Sequence, residues 1–384
     1  MNEWKKVKLG DLYEVHNGLS KGRQFFGTGF PFLTFSNVFN NWFLPEELES
    51  LVQTTDKERE GCSIKAGDVF ITRTSETMDE LGMSSVALKD YPNATYNGFT
   101  KRLRPITNRV NPRYIGYYLR TPKFRGQFMA FSTMTTRASL ANNDLLNMEV
   151  ELPSMEIQHR IATILSRYDS LIENYQKQIK LLEEAAQRLY KEWFVDLHFP
   201  GHENTNIIDG VPEGWEKKKV GDITPIITGK KDANFGTPDG EYPFFTCSQE
   251  PIKAPSFSFD CAAVLLAGNG DFNVKLYRGR FEAYQRTYVL SPYIDSHLYL
   301  LFYTISANMT KLAAGSSGST IKFLTKGMID GINLNVPNDE ILRSFNKKVE
   351  PIQSSRESLQ SQLRLLTEAR DRLLPKLMSG EITI

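Results

Sequence analysis

The stretch WKKVKLGDL at residues 4–12 returns as WEKKKVGDI at residues 215–223, so Trp4, Lys6, Lys8, Gly10 and Asp11 reappear as Trp215, Lys217, Lys219, Gly221 and Asp222. An internal repeat constrains a fold more than composition does, because each copy has to bury the same face. The echo extends well beyond these nine residues. VELPSMEIQHRIATIL, which starts at 150, is answered by LNVPNDEILRSFNKKV, and TTRASLANNDLLNMEVELP lies 184 residues before SGSTIKFLTKGMIDGINLNVP. GFPFLTFSN aligns with EYPFFTCSQ. The Trp motifs are 211 residues apart but the later stretches only 184, so the second copy has lost residues in its middle.

Each copy ends in a long helical pattern. Ile157, Ile161, Ile164, Tyr168, Leu171, Tyr175, Gln178, Leu182, Ala185 and Leu189 fall at alternating steps of four and three, the spacing of a coiled-coil seam. The second copy offers Ile341, Phe345, Lys348, Ile352, Ser355, Leu359, Gln362, Leu366, Ala369 and Leu373. Ser154 and Asn338 are placed to cap the two helices. Because the linker HFPGHENTNIIDGVPEG returns the chain, the simplest arrangement is an antiparallel pair about a pseudo-twofold axis. Helices of about 40 residues would hold two domains at most roughly 60 Å apart. Gln178 and Gln362 then either face one another as a buried polar pair, or point to solvent while Ile179 and Leu363 fill the seam.

Between each Trp motif and its helix lie short β-like runs, FPFLTF and DVFITRT in the first copy and YPFFTCS and AAVLLAG in the second. The expected fold is mixed α/β (α+β): two globular domains at 1–153 and 215–336, helical spacers at 154–196 and 337–384, and a linker at 197–214. A chain of 384 residues with 40% hydrophobic content can fill two such cores.

No run of eighteen apolar residues and no apolar stretch behind MNEWKKVKLG suggests a membrane span or signal peptide, so a cytoplasmic location is expected. Cys62, Cys247 and Cys261 lack CxxC spacing and read as reduced thiols. The five His follow no metal pattern, and no GxSxG elbow supports a nucleophile. LLAGNGDFN has a Gly-x-Gly without the third glycine of a cofactor loop and reads as a strand end and turn.

NPRYIGYYL at 111 resembles the Asn-Pro-Pro-aromatic grip of adenine-N6 methyltransferases but departs from it at Arg113. A helix start explains it better, with Asn111 as cap, Pro112 in the first turn, and Tyr114, Ile115, Tyr118 and Leu119 as a buried stripe. Asp295 is the expected cap at the corresponding place of the second copy.

With 46 Lys and Arg against 45 Asp and Glu, net charge alone does not point to nucleic acid. Local clusters do. Lys101, Arg102, Arg104, Arg109, Arg113 and Arg137 crowd the first domain, and Lys275, Arg278, Arg280, Arg286 and Lys322 the second. Such groups suit phosphate and guanine, while Asn97, Gln249 and Gln285 suit adenine.

Taken together, the Trp motifs with their Gly-Asp pairs, LPSMEIQHRIATIL, LYKEWFVDLHFPGHE, PEGW at 213 and the final RDRLLPKLMSGEI make the chain resemble the specificity subunit of type I restriction-modification systems. The resemblance covers nearly the whole chain. It implies two target-recognition domains that each read half of a bipartite, asymmetric site in double-stranded DNA, with the helices as spacer. It also implies docking of two methyltransferase subunits, with motor-nuclease subunits joining the full complex. S-adenosylmethionine, ATP and Mg would then bind those partners, and this chain would hold no cofactor, metal or catalytic residue. Base contacts do not transfer from the resemblance. Arg73, Thr74 and Asn97 in the first domain, and Ser248, Gln249, Asn269 and Gln285 in the second, are chosen from their places in expected loops and strand ends. The competing readings are a tandem scaffold that binds no DNA and a self-sufficient methyltransferase.

Overall fold

The repeated Trp motif folds the same way twice. In this computed structural model Lys5–Lys8 is a strand paired antiparallel with Glu149–Leu152, Lys5 opposite Leu152 and Lys8 opposite Glu149. Glu216–Lys219 pairs with Asn333–Val336, Glu216 opposite Val336 and Lys219 opposite Asn333. Both partners carry the sequence offsets of 211 and 184, so the repeat holds rung by rung. The next bond recurs too: Leu9 N donates to Met148 O and Val220 N to Ile332 O, each at 2.9 Å. The glycines that follow stand where the chain comes close. A Cβ on Gly10 would lie 3.2 Å from the Leu146 carbonyl oxygen, and one on Gly221 2.0 Å from an Asp330 carboxylate oxygen.

The structure describes residues 4–75, 81–131, 138–316, 322–382 and 384. They fall into two compact units, Met1–Asn174 with Gln362–Ile384, and Tyr175–Ser361, so compactness divides the chain within the long helices.

In the first unit an antiparallel sheet has the order Tyr13–Asn17, Thr100–Pro105, Val69–Thr72, Ser84–Val86. A second sheet joins Leu51–Val52, Phe26–Leu33 and Thr95–Tyr96. The helix Pro112–Tyr118 covers the first sheet, with Tyr114, Ile115, Tyr118 and Leu119 buried. Asn111 caps it by accepting from Arg113 N at 2.9 Å and Tyr114 N at 3.0 Å. NPRY is therefore a helix start.

In the second unit one six-stranded sheet runs Ile226–Thr228, Thr287–Leu290, Phe259–Ala267, Val274–Ala283, Tyr242–Phe245, Ile252–Ala254. The short helices Phe35–Asn40 and Asp56–Gly61 of the first unit are replaced here by the brief connections 246–251 and 255–258, which is where the second copy was shortened. Leu298–Gly315 covers this sheet. Asp295 does not cap that helix, contrary to expectation. It opens a 3-10 turn, Asp295–His297, that leads into the helix without a side-chain cap.

The long helices are Met155–Tyr190 and Asp339–Met378. The expected caps form: Ser154 Oγ accepts from Ile157 N at 3.4 Å and Asn338 Oδ1 from Ile341 N at 3.0 Å. A π-helical segment, Lys191–Val195, extends the first helix and buries Trp193 and Phe194. Half of the expected seam is corrected. The column Ile161, Tyr168, Tyr175, Leu182 and Leu189 is buried or half-buried, as are Phe345, Ile352, Leu359, Leu366 and Leu373. The other buried column lies one residue later, at Gln158, Leu165, Ile172, Ile179 and Ala186, and at Leu342, Val349, Arg356, Leu363, Arg370 and Leu377. Ile157 and Ile164 remain half-buried and Ile341 buried, but Leu171, Ala185, Lys348, Ser355 and Ala369 are exposed. Gln178 and Gln362 are exposed as well, with Ile179 and Leu363 half-buried beside them. The shift follows from partners distant in sequence. Gln158 is buried because it accepts from Asn111 N at 2.9 Å and donates to Arg109 O and Pro153 O. Arg370 bonds Asp169 at 2.9 Å in the first unit, and Arg356 pairs with Glu183 at 3.5 Å in the second.

Among the described residues no helix is long and apolar enough to cross a membrane. Cys62, Cys247 and Cys261 are free thiols, and among the described residues no three His, Cys, Asp or Glu are grouped to hold a metal.

Candidate nucleic-acid interface

Strand ends and turns converge at one end of the second unit's sheet. Gly268 N donates to Arg286 O at 2.8 Å, Leu324 N to Gly268 O at 2.8 Å, and Gln285 N to Lys231 O at 2.9 Å. Lys275 Nζ donates to Ser248 O at 2.7 Å, and Gln249 Nε2 to Asp271 at 2.5 Å. Asn269 bridges to Phe323, next to Lys322. A groove of about 310 Å³ opens between Thr228, Gln285, Arg286, Tyr288 and Phe323. Ser248, Gln249, Asn269, Lys275, Gln285, Arg286 and Lys322 are thus brought to one end of the domain. Ser248, Gln249, Gln285, Arg286 and Lys322 are exposed there. Partial burial holds the Lys275 amine below the usual lysine range, since a cation loses hydration in that setting. Arg278 lies elsewhere, over the Tyr299 ring at 5.2 Å, and Arg280 pairs with Asp260 at 3.1 Å.

The first unit builds the same end differently. Arg73 and Thr74 lie there at the edge of the loop, but Asn97, Lys101 and Arg102 turn inward and do not face solvent. Asn97 Nδ2 donates to Leu33 O at 3.1 Å and its Oδ1 accepts from Phe99 N at 2.9 Å. Lys101 bonds the Asn142 side chain, and Arg102 donates to Ser63 O at 2.6 Å. Burial again pushes the Lys101 amine down, with Arg73 adding to it. Arg104 grips the wholly buried Asp68 with two bonds of 2.8 and 2.6 Å. These cations sit on Thr100–Pro105, an interior strand covered on both faces, so a run that looks like a basic patch in sequence is part of the core. Arg109 and Arg113 are exposed at the far end of that strand, around the helix start. Arg137 lies outside the described residues.

Five backbone bonds show that the two loop ends share one frame. Asn97 N to Leu33 O, 3.1 Å, matches Tyr284 N to Phe245 O, 3.0 Å. Gly98 N to Leu19 O, 2.7 Å, matches Gln285 N to Lys231 O, 2.9 Å. Arg73 N to Phe99 O, 3.0 Å, matches Gly268 N to Arg286 O, 2.8 Å. Thr100 N to Asn97 O matches Thr287 N to Tyr284 O, and Leu140 N to Arg73 O matches Leu324 N to Gly268 O. Gly18 and Gly229 each press against the turn of their own domain: a Cβ would lie 2.1 Å from Asn97 O in one, and 1.9 Å from Ala283 O and 2.6 Å from Tyr284 O in the other. Asn-Gly-Phe-Thr at 97–100 therefore corresponds to Tyr-Gln-Arg-Thr at 284–287. Sequence reasoning missed Phe99, which is 60% exposed; aligning the repeats at the shared Thr would have found it.

A profile of the type I restriction modification DNA specificity domain matches residues 1–184 and again 212–355. The chain belongs to that family. A type I restriction enzyme specificity subunit of Escherichia coli, EcoDI, is 36% identical over a match covering 45% of this chain and 40% of that protein. The MjaIX specificity subunit of Methanocaldococcus jannaschii is 26% identical over all of this chain and 94% of its own length. The crystal structure of the type I restriction-modification S subunit from M. genitalium shares the fold at a TM-score of 0.65 and 15% identity, covering 98% of this chain and 96% of that one. The two matched ranges each contain one copy of the Trp-motif ladder and one copy of the loop frame. Each specificity domain thus places the frame at the sheet end away from the strand that leads into its long helix.

Proposed function

We propose that this chain is the noncatalytic DNA-specificity subunit of a type I restriction-modification complex, with each specificity domain reading one half of a bipartite site. The observation that carries this reading is the loop frame: five equivalent hydrogen bonds hold the turn in both domains, yet the turn presents Phe99 in one and Arg286 in the other. One scaffold with two sets of side chains is what reading two different half-sites requires, because groove position is set by backbone and base choice by side chain.

The long helices serve as the spacer between the halves and, with their surroundings, dock two methyltransferase subunits. An antiparallel pairing is supported unit by unit. Asp169 with Arg370, Glu183 with Arg356, and the Phe194 and Phe345 rings, 4.7 Å apart, each have residue numbers adding to 539. That constant sum is the signature of antiparallel neighbours. S-adenosylmethionine, ATP and Mg belong to partner subunits, the motor-nuclease among them. Near-zero net charge fits a chain whose partners supply part of the phosphate grip.

The test is to co-express the chain with its methyltransferase subunit and map modified adenines across a genome by single-molecule sequencing. A split motif with a fixed gap is the expected result. A continuous motif, or no modification, would return the methyltransferase and scaffold readings to contention. The isolated chain should also bind its duplex far more weakly than the assembled methyltransferase at physiological salt.

A further inference from the structure

From the shared frame we infer that one structural position, occupied by Phe99 in the first domain and Arg286 in the second, is a base-reading position in both. The first domain applies it to a thymine and the second to a guanine. This rests on the DNA-reading function proposed above and assigns specific chemistry within it.

The two residues are equivalent by hydrogen bonding. Each carbonyl accepts from the strand-end residue opposite, Arg73 N at 3.0 Å and Gly268 N at 2.8 Å. Each is followed by a Thr whose N bonds back across the turn, to Asn97 O or Tyr284 O. The turn is held firmly in both domains. In the first, Asn97 Oδ1 also accepts from Phe99 N at 2.9 Å, and a Cβ on Gly98 would lie 2.6 Å from Ser20 Oγ. A large ring 60% exposed on so constrained a turn keeps apolar area in water, which favours whatever covers it. In the second domain Arg286 is exposed on the rim of the groove, and among the described residues no carboxylate pairs with it. Neighbouring Gln285 is already bonded to Asp232 at 2.6 Å.

The chemistry follows from what each side chain can distinguish in the major groove. A guanidinium matches the O6 and N7 acceptors of guanine with two donors, and a phenyl ring has only the thymine C5-methyl to prefer. The half-site read by the first domain should therefore contain a thymine contacted through its methyl, and the other half a guanine contacted through N7.

The experiment uses the methyltransferase complex with wild-type chain, Phe99→Ala or Arg286→Ala, on duplexes carrying the mapped motif. Uracil replaces each thymine of one half in turn, and 7-deazaguanine each guanine of the other. At one thymine, uracil should lower wild-type methylation roughly fourfold, the worth of one buried methyl, and should not lower that of Phe99→Ala further. At one guanine, 7-deazaguanine should cost wild type about tenfold or more and Arg286→Ala nothing further. Equal sensitivity of variant and wild type at every position would overturn the inference while leaving the split motif, and so the proposed function, in place. Absence of a split motif would remove both. Thermal unfolding of each variant alongside wild type separates lost contact from lost fold, and both side chains are exposed enough to be replaced without it.

Discussion

Tyr117 donates a 2.5 Å hydrogen bond to the Asp169 carboxylate, joining the sheet-covering helix of the first unit to its long helix. The equivalent pair in the second unit is neutral, Gln353 donating to Tyr303 Oη. A bond to a charged group contributes about 1.5–3 kcal/mol and a neutral one about 0.5–1.5 kcal/mol. Tyr117→Phe should therefore destabilise the chain more than Tyr303→Phe, as read from denaturant midpoints. Equal losses would show that the carboxylate adds nothing.

Arg104 and Asp68 should behave as a unit. Asp68 is wholly buried, so Arg104→Ala leaves its carboxylate without its cation, a loss of about 3–5 kcal/mol. The double replacement Asp68→Leu with Arg104→Met should recover most of it. Equilibrium unfolding of the three variants decides the matter, and additive losses would exclude coupling.

The frame glycines should be separable by half-site. An added methyl meets a backbone oxygen at both Gly18 and Gly229, at a cost of about 1–3 kcal/mol for overpacking. Gly18→Ala should blur only the half of the methylation motif assigned to the first domain, and Gly229→Ala only the other. If either variant blurred both halves, the frame would not belong to one domain at a time.

His297 gives a pH dependence with a definite sign. Burial pushes its pKa below 6.5, and Lys218 lowers it further against an opposing pull from Asp339. The unfolded chain then binds the proton more readily than the folded one. Stability is full above about 6.5 and falls as pH drops toward the depressed folded value. Comparing His297→Gln with wild type between pH 8 and pH 5 should show the wild type losing more. Parallel curves would mean that His297 binds its proton equally well in the folded and the unfolded chain.

What could be read from the sequence was what local chemistry decides. The Trp-motif repeat was visible by laying the chain over itself, and the Ser154, Asn111 and Asn338 caps and one seam column because each depends on residues a few positions apart, whereas the strand partners of the Trp motifs lie more than a hundred residues away. The other column was displaced by one because Ile157, Ile164 and Leu171 look as apolar as Leu165 and Ile172. Gln158 joins the buried side only through Asn111, Arg109 and Pro153, some 50 residues away in two cases. Lys101 and Arg102 misled for a related reason. A strand covered on both faces can bury cations when carbonyls and amides such as Ser63 O and Asn142 receive them. The interface was legible in its loops and hidden in its frame, since Phe99 stands out only when two turns with one common residue are laid over each other.

The seam arginines give each long helix an address. Arg370 and Arg356 stand where the first helix has Ala186 and Ile172, and their acids Asp169 and Glu183 stand where the second has Gln353 and Thr367. Two copies of the first helix in this register would set acids against Ala and Ile; two copies of the second would set arginines against Gln and Thr. Only unlike helices match every charge. Charge matching of this kind disfavours pairing two copies of one long helix, because the like pair would leave its arginines or its acids without a counter-ion.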